Sequence, residues 1–205
     1  MVNMQLSTEK LILETAKKHF VQKGFTATRT QEIADEAGIN KAMLHYYFRS
    51  KEKLYQEIIA QTMGEIIPKF ANALSSEGDF WDHVDNLVGI YIKTLSENPH
   101  IPIFIMSELS QKKESFINEI KKHASFFMAI QSFVIQMNME MESGRIRSIP
   151  PAQLLLNIIS MAVFPFMAKP IFNTIWNASE EDFSELMKER KQIIMDFLRA
   201  ALRPD

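Results

Sequence analysis

Residues 28–53, TRTQEIADEAGINKAMLHYYFRSKEK, restrict the fold of this chain more than any other stretch. Thr28 followed three residues later by Gln31 fits a capping box, which would satisfy backbone donors at the start of a helix. Ile33, Ala34 and Ala37 then form a narrow apolar edge whose small side chains permit close approach of a second helix. Gly38 stands where a helix ends in a left-handed residue, a conformation glycine adopts without steric cost. Ile39 is an apolar plug in the turn, and Asn40 is a good N-cap for a helix beginning at Lys41. Helix, short Gly turn, helix is the pattern of a helix-turn-helix.

The second helix, expected over 41–47, would be about 10 Å long at ~1.5 Å per residue, short enough for a DNA major groove. At ~100° per residue, Leu44 and Phe48 point the same way and should anchor it. Ala42, Met43 and Tyr46 then face outward, with His45 and Tyr47 on the flanks. A face of small, apolar and aromatic side chains suits thymine methyls, sugars and phosphates better than it suits water. Ser50 is placed to cap a further helix with Lys51 in its first turn. A cation there opposes the helix dipole, which a phosphate partner would explain.

These residues, with ILETAKKHFVQKGF upstream, resemble the DNA-binding domain of the tetracycline-repressor (TetR) family of bacterial regulators. The resemblance covers roughly residues 7–60, and spacing, turn glycine and the aromatic-Phe-x-x-Lys ending all coincide. Family members commonly carry Tyr where this chain has His45, and His where it has Tyr47. The resemblance implies DNA contacts from Arg29, Thr30, Ala42, Met43, His45, Tyr47 and Lys51, with Thr28, Lys41 and Tyr46 beside them. It implies an N-terminal domain over 1–50 and a helical ligand-binding and dimerisation domain over 51–205.

The formal charge of −2 does not advertise nucleic-acid binding, but its distribution does. Residues 1–55 hold nine Lys/Arg and six Asp/Glu, a balance of +3; the remaining fourteen Lys/Arg and nineteen Asp/Glu give −5. The basic end carries the helix-turn-helix, as attraction to phosphate requires. The absence of cysteine excludes disulfides and thiolate metal sites and fits a cytoplasmic setting. Residues 154–172 are strongly apolar, but Asn157, Ser160, Pro165, Lys169 and Pro170 interrupt them, so no membrane span is expected.

Elsewhere the periodicity is helical throughout, and the fold class expected is all-α. Leu6, Ser7 and Leu11 fit a staple around a Ser N-cap, and Gly24 should end that first helix. A continuous helix should run from Glu52 to about Leu74, weakened at Gly64 and Pro68, where a hinge would sit. Asp79 should cap the next helix and Asn98-Pro99 should stop it. A short element over 101–109 and one long helix over 114–142 follow. Pro150 and Pro151 open a helix apolar nearly all round, and Ser179 caps the last.

Nothing argues for catalysis: no catalytic or metal residues are assigned, and no cofactor is expected. The five histidines lack ligand spacing, and there is no phosphate loop or nucleophile elbow. His19 reads as a packed core histidine. Thirteen Met and fifteen Phe could line an adaptable apolar cavity or simply fill a core. The resemblance favours a cavity for a small apolar or aromatic ligand, with Met63, Ile67, Phe104, Phe127, Met128 and Phe164 as candidate lining. It also implies a homodimer, since one short recognition helix reads too few bases. Leu155, Ile159, Leu186, Ile194, Phe197 and Leu198 are the candidate interface. The chain thus reads as a regulator binding double-stranded DNA, a repressor released by its ligand. A DNA-binding protein without inducer, or a related helical protein that has lost DNA binding, fits the same residues.

Overall fold

The structure is a computed structural model that describes residues 2–111 and 113–204, with the side chains of 1–7, 111–113 and 115 outside the description. Among the described residues it is all-α, with ten helices: α1 (Val2–Ala27), α2 (Thr30–Glu36), α3 (Lys41–Phe48), α4 (Lys51–Ser75), α5 (Phe80–Glu97), α6 (Ile101–Gln111), α7 (Lys113–Lys121), α8 (Ala124–Glu142), α9 (Pro151–Trp176) and α10 (Glu180–Ala201).

Two compact units are present: Met1–Glu65 with Phe104–Glu119, and Ile66–Ile103 with Ile120–Asp205. They do not divide at residue 50. The first half of α4 buries Leu54, Tyr55, Ile58 and Ile59, and this apolar face belongs to the first unit. Tyr55 is its centre: the ring lies 4.7 Å from Phe20, 4.8 Å from Phe25 and 5.7 Å from Phe104, centroid to centroid. Its hydroxyl donates to the buried Glu108 carboxylate. Burial first, and then Glu108, push the Tyr55 phenol far above its ordinary pKa.

In the second unit α5 is the central helix, packed by α8, α9 and α10. Phe80, Val84, Leu87, Val88, Ile92 and Leu95 recur at helical spacing and are all buried. The Phe80 ring stacks on Phe133 of α8 at 5.8 Å. The capping residues act as expected at Asp79 and Ser179, each in a reciprocal capping box, with Asp82 and Asp182 respectively. Pro151 occupies the first turn of α9, where its missing N–H costs nothing.

Several expectations are corrected. The first helix runs through Ser7 from Val2, so Ser7 does not cap it. Gly24 interrupts that helix with φ 75° and ψ 170°, but one further turn follows to Ala27. The helix expected over 114–142 is two helices, broken at His123, whose ψ of 72° is not helical. Phe116 is buried in the first unit, whereas Ala129, Phe133 and Met137 are buried in the second, so the apolar stripe changes partners across the break. By contrast, α4 passes through Pro68 without ending. By length and composition α9 could cross a bilayer. Here Leu154, Ile158, Ala162 and Phe166 are buried, as in a core helix.

Candidate nucleic-acid interface

The α2–turn–α3 segment is fixed by local chemistry. Gly38 takes φ 66°, and the Gly38 and Ile39 amides donate back to Asp35 and Ala34 at 3.2 and 3.0 Å, closing α2. The Asn40 side chain then accepts from the Met43 amide at 2.8 Å, so α3 starts on a satisfied cap. Leu44 and Phe48 are buried and hold α3 against the unit. The opposite face carries Lys41, Ala42, Met43, His45 and Tyr46 exposed, with Tyr47 half-buried. Tyr46, 64 % exposed, meets Tyr47 edge to face at 5.5 Å. A rigid aromatic corner therefore stands out from α3 with no cover from the chain's described residues.

Thr28 has another role than the one expected. It is 1 % exposed, and its hydroxyl lies 2.7 Å from the Gly24 carbonyl and 3.1 Å from that of His19. It ties the end of α1, including the carbonyl released at the Gly24 kink, to the start of α2. Its side chain cannot reach DNA from there. The residue preceding α2 is Arg29, extended (φ −106°, ψ 135°) and without a side-chain cap, while Gln31 bonds Asp35 instead. Arg29 is exposed and Thr30 half-buried.

Electrostatics sharpens what net charge left blurred. Glu36 accepts from Lys18 at 2.6 Å and contacts His19 Nε2 at 2.7 Å, while Glu32 pairs with Lys23 at 2.9 Å. Lys18 and then His19 hold the Glu36 carboxyl below its ordinary value, and Lys23 does the same for Glu32. The carboxylates of α2 are thus turned to cations of α1. His19 is buried beneath them, as a packed core histidine. Arg29, Lys41 and Arg49 make no ion pair among the described residues, which leaves their charge available to phosphate.

Lys51 does not need a phosphate to account for its position. Its ammonium lies 4.5 Å from the Phe25 ring centroid and donates to the Thr26 carbonyl at 3.3 Å. Ser50 caps α4 by accepting from the Lys53 amide at 3.2 Å. The sequence reading missed Arg49, which is exposed at φ 59° between α3 and α4. A non-glycine residue there costs of order 1 kcal/mol, the kind of strain that collects at functional sites. The only signal for it was its basic charge in the run Phe-Arg-Ser-Lys.

The other candidates scatter. Met63, Ile67 and Phe104 are buried, whereas Phe127, Met128 and Phe164 are 42, 60 and 60 % exposed, so these three do not line an enclosed cavity. Leu155, Ile159, Leu186, Ile194, Phe197 and Leu198 were expected together at a dimer interface. Instead Ile194 and Leu198 are 1 and 2 % exposed and serve the core of the chain itself. Leu186 and Phe197 are exposed, Leu155 and Ile159 half-buried. Leu156, Phe164, Ile171, Ile175, Trp176 and Ile193 extend the exposed apolar surface of α9 and α10. An apolar cleft of about 310 Å³ lies between these helices, walled by Phe172, Trp176, Phe183 and Leu186. Asn173 is also on its wall, and its buried carboxamide oxygen has no hydrogen-bond partner among the described residues. Among the described residues no group of His, Cys, Asp and Glu could hold a metal.

Comparison with known proteins agrees with this geometry. The sequence profile of bacterial regulatory proteins of the tetR family matches residues 12–58. The chain is 30 % identical over 129 residues to the HTH-type transcriptional regulator YhgD of Bacillus subtilis, spanning 58 % of this chain and 68 % of that one. It is 25 % identical over 140 residues to the HTH-type transcriptional regulator Rv0472c of Mycobacterium tuberculosis, spanning 68 % of this chain and 59 % of that protein. Its fold is similar to that of a TetR family transcription regulator from Marinobacter aquaeolei, with a TM-score of 0.70 at 16 % identity and all of both chains covered.

Proposed function

This chain belongs to the TetR family of bacterial helix-turn-helix transcriptional regulators, and from that premise we propose that it is a homodimeric repressor released from a palindromic operator by a small apolar ligand. The observation that carries the DNA half is the bare face of α3. Met43, Tyr46 and His45 stand on a helix whose cap and anchors are satisfied internally, while Arg29, Lys41 and Arg49 beside it make no ion pair among the described residues. Phosphate contacts supply affinity and register; the α3 side chains read base edges and thymine methyls.

Two copies place two such helices about one DNA turn apart, ~34 Å, or a multiple of it. The exposed apolar side chains on α9 and α10 support pairing through Phe164, Ile171, Leu186 and Phe197, because a second copy laid on them would take them out of water. The ligand's seat in this reading is the cleft beside Trp176. Its walls suit a flat apolar molecule. A ligand can release DNA only by preferring one of two arrangements of the dimer. Coupling of about 1–3 kcal/mol, roughly 5- to 150-fold, is the usual range.

The test is a pair of titrations. The wild-type chain is titrated with operator fragments selected from random duplex, by fluorescence anisotropy, with and without a compound found by hydrophobic screening. Preference for an inverted repeat, lost by the same factor as compound affinity is lost on adding operator, supports the reading. No preference for any inverted repeat at physiological salt defeats it.

A further inference from the structure

The face that α3 turns outward limits which bases it can tell apart. In the major groove adenine is read by the paired acceptor and donor of an Asn or Gln amide, and cytosine by a carboxylate. Guanine is read by Arg or Lys, and thymine by apolar contact with its methyl group. The first turn of a recognition helix is the part that reaches base edges, and here it exposes Lys41, Ala42 and Met43. Lys41 can only donate, so it serves phosphate or guanine. Ala42 and Met43 carry no side-chain donor. No Asn, Gln, Asp or Glu occurs between Lys41 and Phe48.

The amides and carboxylates beside α3 are already engaged. The Asn40 side-chain oxygen accepts from the Met43 amide at 2.8 Å, so the acceptor half of that amide is committed to the cap rather than to adenine. Gln31 donates to Asp35 at 2.7 Å, and Glu32 and Glu36 pair with Lys23 and Lys18. His45 and Tyr46, one turn further on, each offer a single polar edge and not the pair that singles out adenine. What remains at the start of the helix is an apolar tip of two residues, and Met43 leaves 41 % of its surface in water. A methyl group laid against that tip removes apolar surface of both partners from water.

We propose that Ala42 and Met43 recognise the 5-methyl groups of neighbouring pyrimidines, so that the half-site is selected for thymine by burial of its methyls. The target is a duplex that carries adjacent pyrimidine methyls in its major groove. This rests on the DNA reading of α3 and deepens it, since it names what separates one sequence from another. Arg29 and Arg49 beside the tip supply attraction that is independent of sequence. Uracil, which is thymine without the methyl, is then read poorly, and 5-methylcytosine is read better than cytosine.

The experiment uses the full chain and an inverted repeat selected from random duplex. Each thymine of the half-site is replaced in turn by uracil, by cytosine and by 5-methylcytosine, and affinity is read by fluorescence anisotropy. At one or two adjacent positions uracil should weaken binding about fourfold per methyl, the value of one buried methyl group. At those positions 5-methylcytosine should bind more tightly than cytosine by a similar factor. Met43→Ala places a better helix former at an exposed position, so it should leave melting nearly unchanged while it shrinks the uracil effect at one position. No inverted repeat from the selection defeats the DNA reading of α3, and this proposal with it. An inverted repeat whose thymines all tolerate uracil leaves that reading standing and overturns the methyl contact. A uracil effect that Met43→Ala leaves unchanged at every position overturns the assignment to Met43.

Discussion

The Arg190 guanidinium of α10 donates to the Met161 carbonyl of α9, at 2.9 Å from Nη2 and 3.2 Å from Nε. Met161 is four residues before Pro165, and proline has no N–H to complete that helical hydrogen bond. The arginine therefore takes the donor's place, and α9 continues through the proline to Trp176. Burial pulls the Arg190 pKa below its ordinary value without threatening its charge.

Arg190→Met should lower stability by about 1–3 kcal/mol, the range for loss of a hydrogen bond to a charged donor that leaves its half-buried acceptor unmatched. In a Pro165→Ala background the Met161 carbonyl regains a helical N–H, so the same substitution should cost distinctly less. A double-mutant cycle in urea measures the difference. Equal costs in both backgrounds would show that Arg190 acts by packing alone.

For the recognition helix, Asn40→Ala should cost ~1 kcal/mol through loss of the cap to the Met43 amide. DNA affinity should fall further than that loss of stability explains, because α3 is then poorly oriented. Anisotropy measured well below the melting temperature separates the two effects; unaltered affinity would detach the cap from function.

Lys51→Ala should weaken DNA binding nearly uniformly across sequences and reduce the salt slope by about 1. It should also lose part of a contact with Phe25, worth about 0.5–1 kcal/mol at an exposed site. Tyr46→Ala, on an exposed side chain, should instead change which sequences are preferred, with little effect on melting. A uniform loss for Tyr46→Ala in a selection experiment would move it from base reading to phosphate contact.

The last helix separates assembly from folding. Phe197, 62 % exposed, tolerates a charge in the monomer, so Phe197→Glu should yield a folded monomer by light scattering. Leu198, 2 % exposed, does not, and Leu198→Glu should lose the fold itself by burying an unpaired ion. A dimer that survives Phe197→Glu would place the contact elsewhere.

In acid the α1–α2 clasp should loosen. Glu36 is held below its ordinary value of 4.5 by Lys18 and His19, and Glu32 below the same value by Lys23. Carboxylates depressed in the native state contribute stability that is fully present above their unfolded pKa and is lost as pH falls through the folded one. Stability should therefore decline below about pH 4.5, and Glu36→Gln should flatten that decline. An unchanged acid limb in urea melts would show that the clasp contributes nothing.

Fold class and the recognition segment were legible in the sequence because their causes lie within four residues of one another. Gly38 needed φ 66°, Asn40 offered an acceptor to Met43, and Leu44 and Phe48 shared a face; none of these depends on a distant partner. The caps at Ser50, Asp79 and Ser179 belong to the same class. What could not be read locally was decided by which helix covers which. Thr28 looked like a cap and instead bonds back to His19 and Gly24, because the Gly24 kink leaves α1 ending beside it. The α7–α8 break carries no glycine or proline signal and follows from a change of packing partner. An apolar side chain at helical spacing looks the same whether its neighbour is its own chain, a second copy or a ligand. Leu198 and Phe197 are adjacent, equally apolar and oppositely placed, so only the arrangement of α5, α9 and α10 around them determines which is core and which is surface.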